Sequence, residues 1–127
     1  MTASTAKPAH ATASSATTQA QRVGLAFDTL PLSPATLANL QQLGYLAMTP
    51  IQAAALPLAL AGHDLIAQAQ TGSGKTAAFA LALLAKLNPR LAGGVAPTQA
   101  LVLCPTRELA DQVTQEIRRL ARAEDNI

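Results

Sequence analysis

Leu37, Leu40 and Leu43 form one apolar stripe between Ser33-Pro34 and Gly44. The spacing predicts a helix with Ser33 as N-cap, Pro34 at the first helical position and Gly44 as terminator. Thr49-Pro50-Ile51-Gln52 opens a second predicted helix, which carries Pro57 and stops at Gly62. Asp64-Leu65-Ile66-Ala67-Gln68-Ala69 is a short apolar run that predicts a buried strand, and Thr76 to Leu87 predicts a helix. Asn88 to Pro97 holds Asn88-Pro89 and Gly93-Gly94, both chain breakers, and is expected to be a loop. Gln99-Ala100-Leu101-Val102-Leu103-Cys104 predicts a second buried strand. A last helix is expected from about Arg107 to Arg122, with Leu109, Val113, Ile117 and Leu120 on one face. Strand, helix and strand across 64–104 make one βαβ unit, so the expected class is α/β with a parallel sheet and flanking helices. In such sheets ligands sit at the carboxyl ends of the strands.

Residues 1–24 show no such periodicity. They are rich in Ala, Thr and Ser, with Lys7 and Arg22 as the charges. A disordered leader is expected there, because too little apolar surface is available to offset the entropy of ordering. A targeting peptide competes with this reading, but basic residues are few and an apolar central block is missing. One domain is then expected over 25–127.

Composition changes the picture in small ways. Half of the 127 residues are hydrophobic, but 29 are Ala and only 2% are aromatic, so the core must rest on Leu, Ile and Val. No apolar run reaches the roughly 20 residues that span a bilayer, so no membrane partner is expected. The one cysteine, Cys104, rules out an internal disulfide and a cysteine metal cluster and fits a reducing compartment, here the cytoplasm. A net charge of +2 permits a nucleic-acid partner without arguing for one. Arg118, Arg119 and Arg122 are balanced by Glu116, Glu124 and Asp125, which reads as a solvated helix face.

The chemistry concentrates in Ala69-Gln70-Thr71-Gly72-Ser73-Gly74-Lys75-Thr76, which lies between the first strand and its helix. Gly72 and Gly74 let successive N–H groups turn into one anion-sized hollow. The Lys75 ammonium can reach β- and γ-phosphates, and the Thr76 hydroxyl can bind Mg²⁺. The helix N-terminus adds its partial positive charge. Ala69 stands where the strict phosphate-loop pattern has its first Gly, and this leaves the other four residues' chemistry intact. Two further segments have two readings each. Gln52 either completes a capping box with Thr49 or uses its carboxamide on the N6 amine and N7 of adenine. Local sequence favours the cap. Pro105-Thr106-Arg107-Glu108 is either a capped strand-to-helix turn or a contact to a nucleic-acid phosphate, and local sequence does not decide.

Taken together these segments resemble the amino-terminal part of the DEAD-box RNA helicases. Gly44-Tyr45 through Thr49-Pro50-Ile51-Gln52 is similar to the Q motif of that family. Phe27, seventeen positions before Gly44, resembles its upstream aromatic. Ala69–Thr76 matches motif I, in a form where Ala is normal at the first position. Pro105–Ala110 matches motif Ia. The wording around Leu37–Lys86 is nearest to a bacterial subgroup. The resemblance implies the first RecA-like domain of an ATP-dependent RNA helicase, with ATP and Mg²⁺ as cofactors and structured RNA, ribosomal RNA included, as partner. It implies adenine and ATP contacts from Phe27, Tyr45, Thr49 and Gln52, and phosphate contacts from Gln70, Thr71, Gly72, Ser73, Gly74, Lys75 and Thr76. Lys75 and Thr76 would be the catalytic pair, with Thr76 on Mg²⁺. It implies RNA contacts from Pro105, Thr106, Arg107 and Glu108, and a monomer. The sequence departs from the family in lacking Asp-Glu-Ala-Asp, Ser-Ala-Thr and a second RecA-like domain. An incomplete helicase is therefore expected, without ATP turnover by these residues alone. The competing reading is a module that binds adenine nucleotide or RNA without hydrolysis.

Overall fold

The computed structural model describes residues 24–88 and 97–124. The expected leader lies outside the described residues apart from Gly24, and so does most of the expected loop at 88–97. A 3₁₀ turn at Phe27–Thr29 is followed by helices α1 (Pro34–Gln42), α2 (Pro50–Leu60), α3 (Lys75–Leu84) and α4 (Arg107–Ala121).

Each helix begins where its capping chemistry sits. The Ser33 hydroxyl accepts from the Thr36 N–H at 3.0 Å, with Pro34 as the first residue of α1. Thr49 and Gln52 form the full capping box that opens α2. The Thr106 hydroxyl accepts from the Leu109 N–H at 3.2 Å and opens α4. The helix expected at Thr76–Leu87 is α3, one residue earlier at its start and three shorter at its end.

Helix α3 is the centre of the fold. It packs on α2 along one side and on α4 along another, while α1 packs on α4. Ala77, Ala78, Ala80, Leu81, Ala82 and Leu84 of α3 are all buried. The four alanines let neighbouring helices approach its backbone closely, while Phe79 on the same helix is left exposed. Leu40 of α1, Leu56 of α2 and Leu120 of α4 complete the core, together with Phe27, Leu30 and Met48.

The expected strands are not formed. Residues 64–69 and 99–104 take no regular structure, and no strand is present among the described residues. Their apolar side chains are exposed: Ile66 at 97%, Leu101 at 79% and Leu103 at 84%. The physical reason is that a strand exists only through its neighbours. Backbone ladder bonds and a packed face both need chain alongside, and no described backbone hydrogen bond reaches either segment from beside it. Both segments instead border an apolar cavity of about 470 Å³, with Leu65 and Ala67 on one segment and Val102 and Leu103 on the other. Leu109, placed by its spacing on the buried face of α4, is 39% exposed because it faces this cavity.

The charged face expected here is formed in part: Arg118, Arg119 and Arg122 are exposed, but Glu116 and Glu124 are engaged. Glu124 accepts from the Ser33 hydroxyl at 2.7 Å and the Thr36 hydroxyl at 2.8 Å. Asn39 donates to the carbonyls of Arg119 and Leu120, both at 3.1 Å, and so caps the C-terminal end of α4. Glu116 accepts from Tyr45. These acidic groups tie α4 to α1 and its connector rather than standing free in solvent.

Candidate nucleotide site

The loop Gln70–Gly74 turns the chain from residue 69 into α3. Gly72 and Gly74 both have left-handed backbones, with φ of +79° and +88°. Gly74 is the N-cap of α3. A side chain there would be strained by the backbone and would also meet the Gln52 Nε2 atom at 2.5 Å. Both glycines are therefore required by geometry and not merely tolerated.

Helix α3 differs from the other α-helices at its start. Ser33, Thr49 and Thr106 supply side-chain caps to α1, α2 and α4, while α3 has none. Its first intrahelical bond runs from the Ala78 N–H to the Gly74 carbonyl at 3.1 Å. The N–H groups of Lys75, Thr76 and Ala77 thus have no partner within the helix. Beside them the Ser73 hydroxyl is buried and has no hydrogen-bond partner. Lys75 turns its ammonium onto the carbonyls of Ala69 and Gln70, the latter at 2.9 Å. Unpaired donors, a buried hydroxyl and a lysine gathered at one helix N-terminus fit a polyanion such as a phosphate chain.

Gln52 is 1% exposed and performs the cap that its sequence context favoured. Its Oε1 accepts from the Thr49 N–H at 2.9 Å. Its Nε2 does something local sequence could not show: it donates to the Gly74 carbonyl at 3.2 Å. Gln52 thereby ties the start of α2 to the phosphate loop. A carboxamide has two donors and two lone pairs. The cap and the Gly74 bond use one of each, so one donor and one acceptor remain. That is the pair that the N7 and N6 positions of adenine require.

The other expected contacts fall in two places. Phe27 is 4% exposed and meets Tyr45 edge-on, with centroids 6.2 Å apart and planes at 88°. Its ring is thus a core residue in the folded chain. The Tyr45 hydroxyl points to Glu116 and not to the loop. Pro105, Thr106, Arg107 and Glu108 are all exposed at the start of α4. Thr106 uses its oxygen as the cap, which leaves its hydroxyl proton free to donate. Lys75 and Thr76 border the same cavity as Cys104, the residue just before Pro105, so the loop and the α4 turn flank one opening.

Burial, followed by the hydrogen bond to Glu116 and its charge, pushes the Tyr45 phenol up from 10.0 to about 12, with Arg119 opposing. The folded state therefore holds the proton to higher pH than the unfolded chain. This contribution to stability should be complete below about pH 10 and be lost as pH rises from about 10 to about 12. Tyr45 is the single tyrosine and there is no tryptophan. Tyrosinate absorbance against pH thus reports this group alone, and a midpoint near 10 in the folded protein would refute the shift.

The loop and the start of α3 have the arrangement that a phosphate-binding loop needs. Residues 49–126 match the DEAD/DEAH box helicase family, and the chain belongs to it. The bacterial subgroup expected from Leu37–Lys86 is the DbpA type. ATP-dependent RNA helicase DbpA of Escherichia coli K12 is 65% identical over 98 residues, which are 76% of this chain and 21% of that protein. DEAD-box ATP-dependent RNA helicase CshA of Streptococcus pneumoniae is 47% identical over 76% of this chain and 18% of its own length. Among solved structures, Saccharomyces cerevisiae Dbp5 bound to RNA and ADP BeF3 superposes with a TM-score of 0.69 at 38% identity. That match covers 77% of this chain and 25% of that one. A DEAD box protein from Methanococcus jannaschii gives 0.67 at 41% identity, over 76% and 25%. The chain spans about a fifth of the length of the curated relatives it matches.

Proposed function

We propose that these residues are the nucleotide-holding and RNA-gripping amino-terminal part of an ATP-dependent RNA helicase. The observation that carries this reading is the uncapped start of α3, with the buried, unpartnered Ser73 hydroxyl and the Lys75 ammonium beside it. On this reading the N–H groups of Gly72, Gly74, Lys75 and Thr76 bind the phosphates, and Lys75 leaves the Ala69 and Gln70 carbonyls to meet the β- and γ-phosphates. Gln70, Thr71 and Ser73 complete the loop around them. The Thr76 hydroxyl would hold Mg²⁺, which when bound supplies positive charge to the phosphate oxygens. Gln52 reads adenine with its spare donor and acceptor, while Phe27, Tyr45 and Thr49 fix the connector behind it. Thr106 and Arg107 donate to an RNA phosphate, and Pro105 and Glu108 shape that turn.

The same reading makes 64–69 and 99–104 parallel strands of a RecA-like sheet, joined by the right-handed crossover through α3. The exposed apolar residues and the cavity that these segments share support it, since both are surfaces that a sheet would cover. The intact protein would be a cytoplasmic monomer acting on structured RNA, ribosomal RNA included, and would couple ATP hydrolysis to local unwinding. No helix among the described residues is long and apolar enough to cross a membrane.

The adenine assignment is tested by Gln52→Ala. The substitution removes the Gln52 half of the capping box and the Gly74 bond, which weakens binding of any nucleotide. It also removes an adenine-specific pair, so ATP affinity should fall about three- to ten-fold further than GTP affinity. Equal loss for ATP and GTP would confine Gln52 to its capping role.

A further inference from the structure

Glu116 lies in the middle of α4, on the helix that opens with the candidate RNA-contacting turn. Its neighbourhood in sequence reads as a solvated charge pair with Arg119, and that pair does exist at 2.9 Å. The second carboxylate oxygen, however, accepts from the Tyr45 hydroxyl across 71 positions of chain. The Glu116 side chain is only 17% exposed. A carboxylate drawn that far out of water is costly unless both of its oxygens are satisfied, and here each has a partner.

Tyr45 is not an isolated anchor. It heads the connector 45–49 between α1 and α2, and that connector is tethered at each of its key points. The Tyr45 N–H donates to the Leu40 carbonyl at 2.9 Å, which fixes the start of the connector to α1. The Met48 N–H donates to the Leu25 carbonyl at 2.9 Å. The Thr49 N–H donates to Gln52, and Gln52 donates to Gly74 of the phosphate loop. Phe27 braces the Tyr45 ring edge-on. The side-chain hydroxyl carries the hydrogen bond from this connector to α4.

We propose that Glu116 is a positioning residue for the nucleotide site, holding the Tyr45 hydroxyl and through it the connector that delivers Thr49 and Gln52 to the phosphate loop. The inference rests on the reading of Gln52 as the adenine-selecting side chain. The contact is a hydrogen bond to a phenol, so an acceptor at the right reach is what matters, and a negative charge is not. Glutamine keeps the reach and the acceptor without the charge. Aspartate keeps the charge but is shorter by one methylene.

The test is calorimetric titration of the full 127-residue chain with ATP and with GTP, for wild type and for Glu116→Ala, Glu116→Asp and Glu116→Gln, alongside thermal unfolding of each. The wild type should prefer ATP. Ala and Asp should each reduce that preference about three- to ten-fold, while Gln should stay within about two-fold of wild type. A general role in folding would lower both affinities together and leave the ratio unmoved, and that outcome overturns the proposal. Rescue by Asp and not by Gln overturns it as well, since charge would then be the active property. Should Ala fail to fold, the Asp and Gln variants decide the question between them. A wild type that binds ATP and GTP equally removes the adenine reading, and the proposal with it. A preference that Gln52→Ala abolishes but Glu116 variants leave intact refutes this proposal alone.

Discussion

Lys75→Ala is expected to weaken ATP binding by about 10- to 150-fold, corresponding to loss of roughly 1.5–3 kcal/mol from charged hydrogen bonds. The ammonium is positioned for this by its place as the first residue of α3, where the helix N-terminus and the loop N–H groups converge. It donates to two backbone carbonyls, Ala69 and Gln70. Those contacts hold the ammonium close to the loop, so little reorganisation is needed when phosphate oxygens replace the carbonyls. Removing the side chain leaves both carbonyls without that donor, but each lies at the loop surface or beside it and can turn to water. The effect on folding should therefore be small beside the effect on binding. Adenosine, which carries no phosphate, should bind wild type and variant alike. Titration with ATP and adenosine separates the two. Equal ATP affinity for wild type and variant would remove Lys75 from the site.

Gly74→Ala is expected to act on the fold as well as on the ligand. The φ of +88° costs an L-residue about 1–2 kcal/mol. The added Cβ would stand 2.5 Å from Gln52 Nε2 and 3.1 Å from the Thr49 hydroxyl oxygen. Neither neighbour can move freely, because these two side chains are the capping box of α2. Relieving such an overlap in packed surroundings costs about 1–3 kcal/mol more. A total loss of roughly 2–5 kcal/mol is a large share of the 5–15 kcal/mol typical of a folded domain. In a unit of about 100 residues it should lower the midpoint of thermal unfolding by on the order of 10 °C or more. ATP binding should fall with it, since Gln52 must leave the loop. A melting curve that superposes on wild type would show that the loop accommodates a side chain there.

The two substitutions separate what was legible in the sequence from what was not. The helices could be read because their signals are local. Ser33, Thr49 and Thr106 each cap a helix within three residues of themselves, and Leu40, Val113 and Leu120 bury as their spacing requires. Gln52 could be read only in part. Its cap involves Thr49, three positions away, but its bond to Gly74 spans 22 positions and has no sequence signature. Glu116 and Glu124 read as solvated charges for the same reason, since their partners Tyr45, Ser33 and Thr36 lie 71 to 91 positions away. The segments 64–69 and 99–104 show the converse. Their composition is that of buried strands, but burial is supplied by whatever lies alongside, and an apolar run states only that it needs cover. Phe27 illustrates a third case. Its aromatic character was evident, but not whether it would face a ligand or the core, and the ring is 4% exposed.

The clasp between α1 and α4 has a consequence in time. Ser33, Thr36 and Asn39 find their partners between 80 and 91 residues further along the chain. At a synthesis rate of about 5–20 residues per second, those partners follow α1 by roughly 4–18 s. In the later part of that interval α1 and the nucleotide loop have both been made, but the helix against which α1 rests has not. Until α4 arrives, Asn39 has no helix end to cap, and Ser33 and Thr36 have no carboxylate to meet.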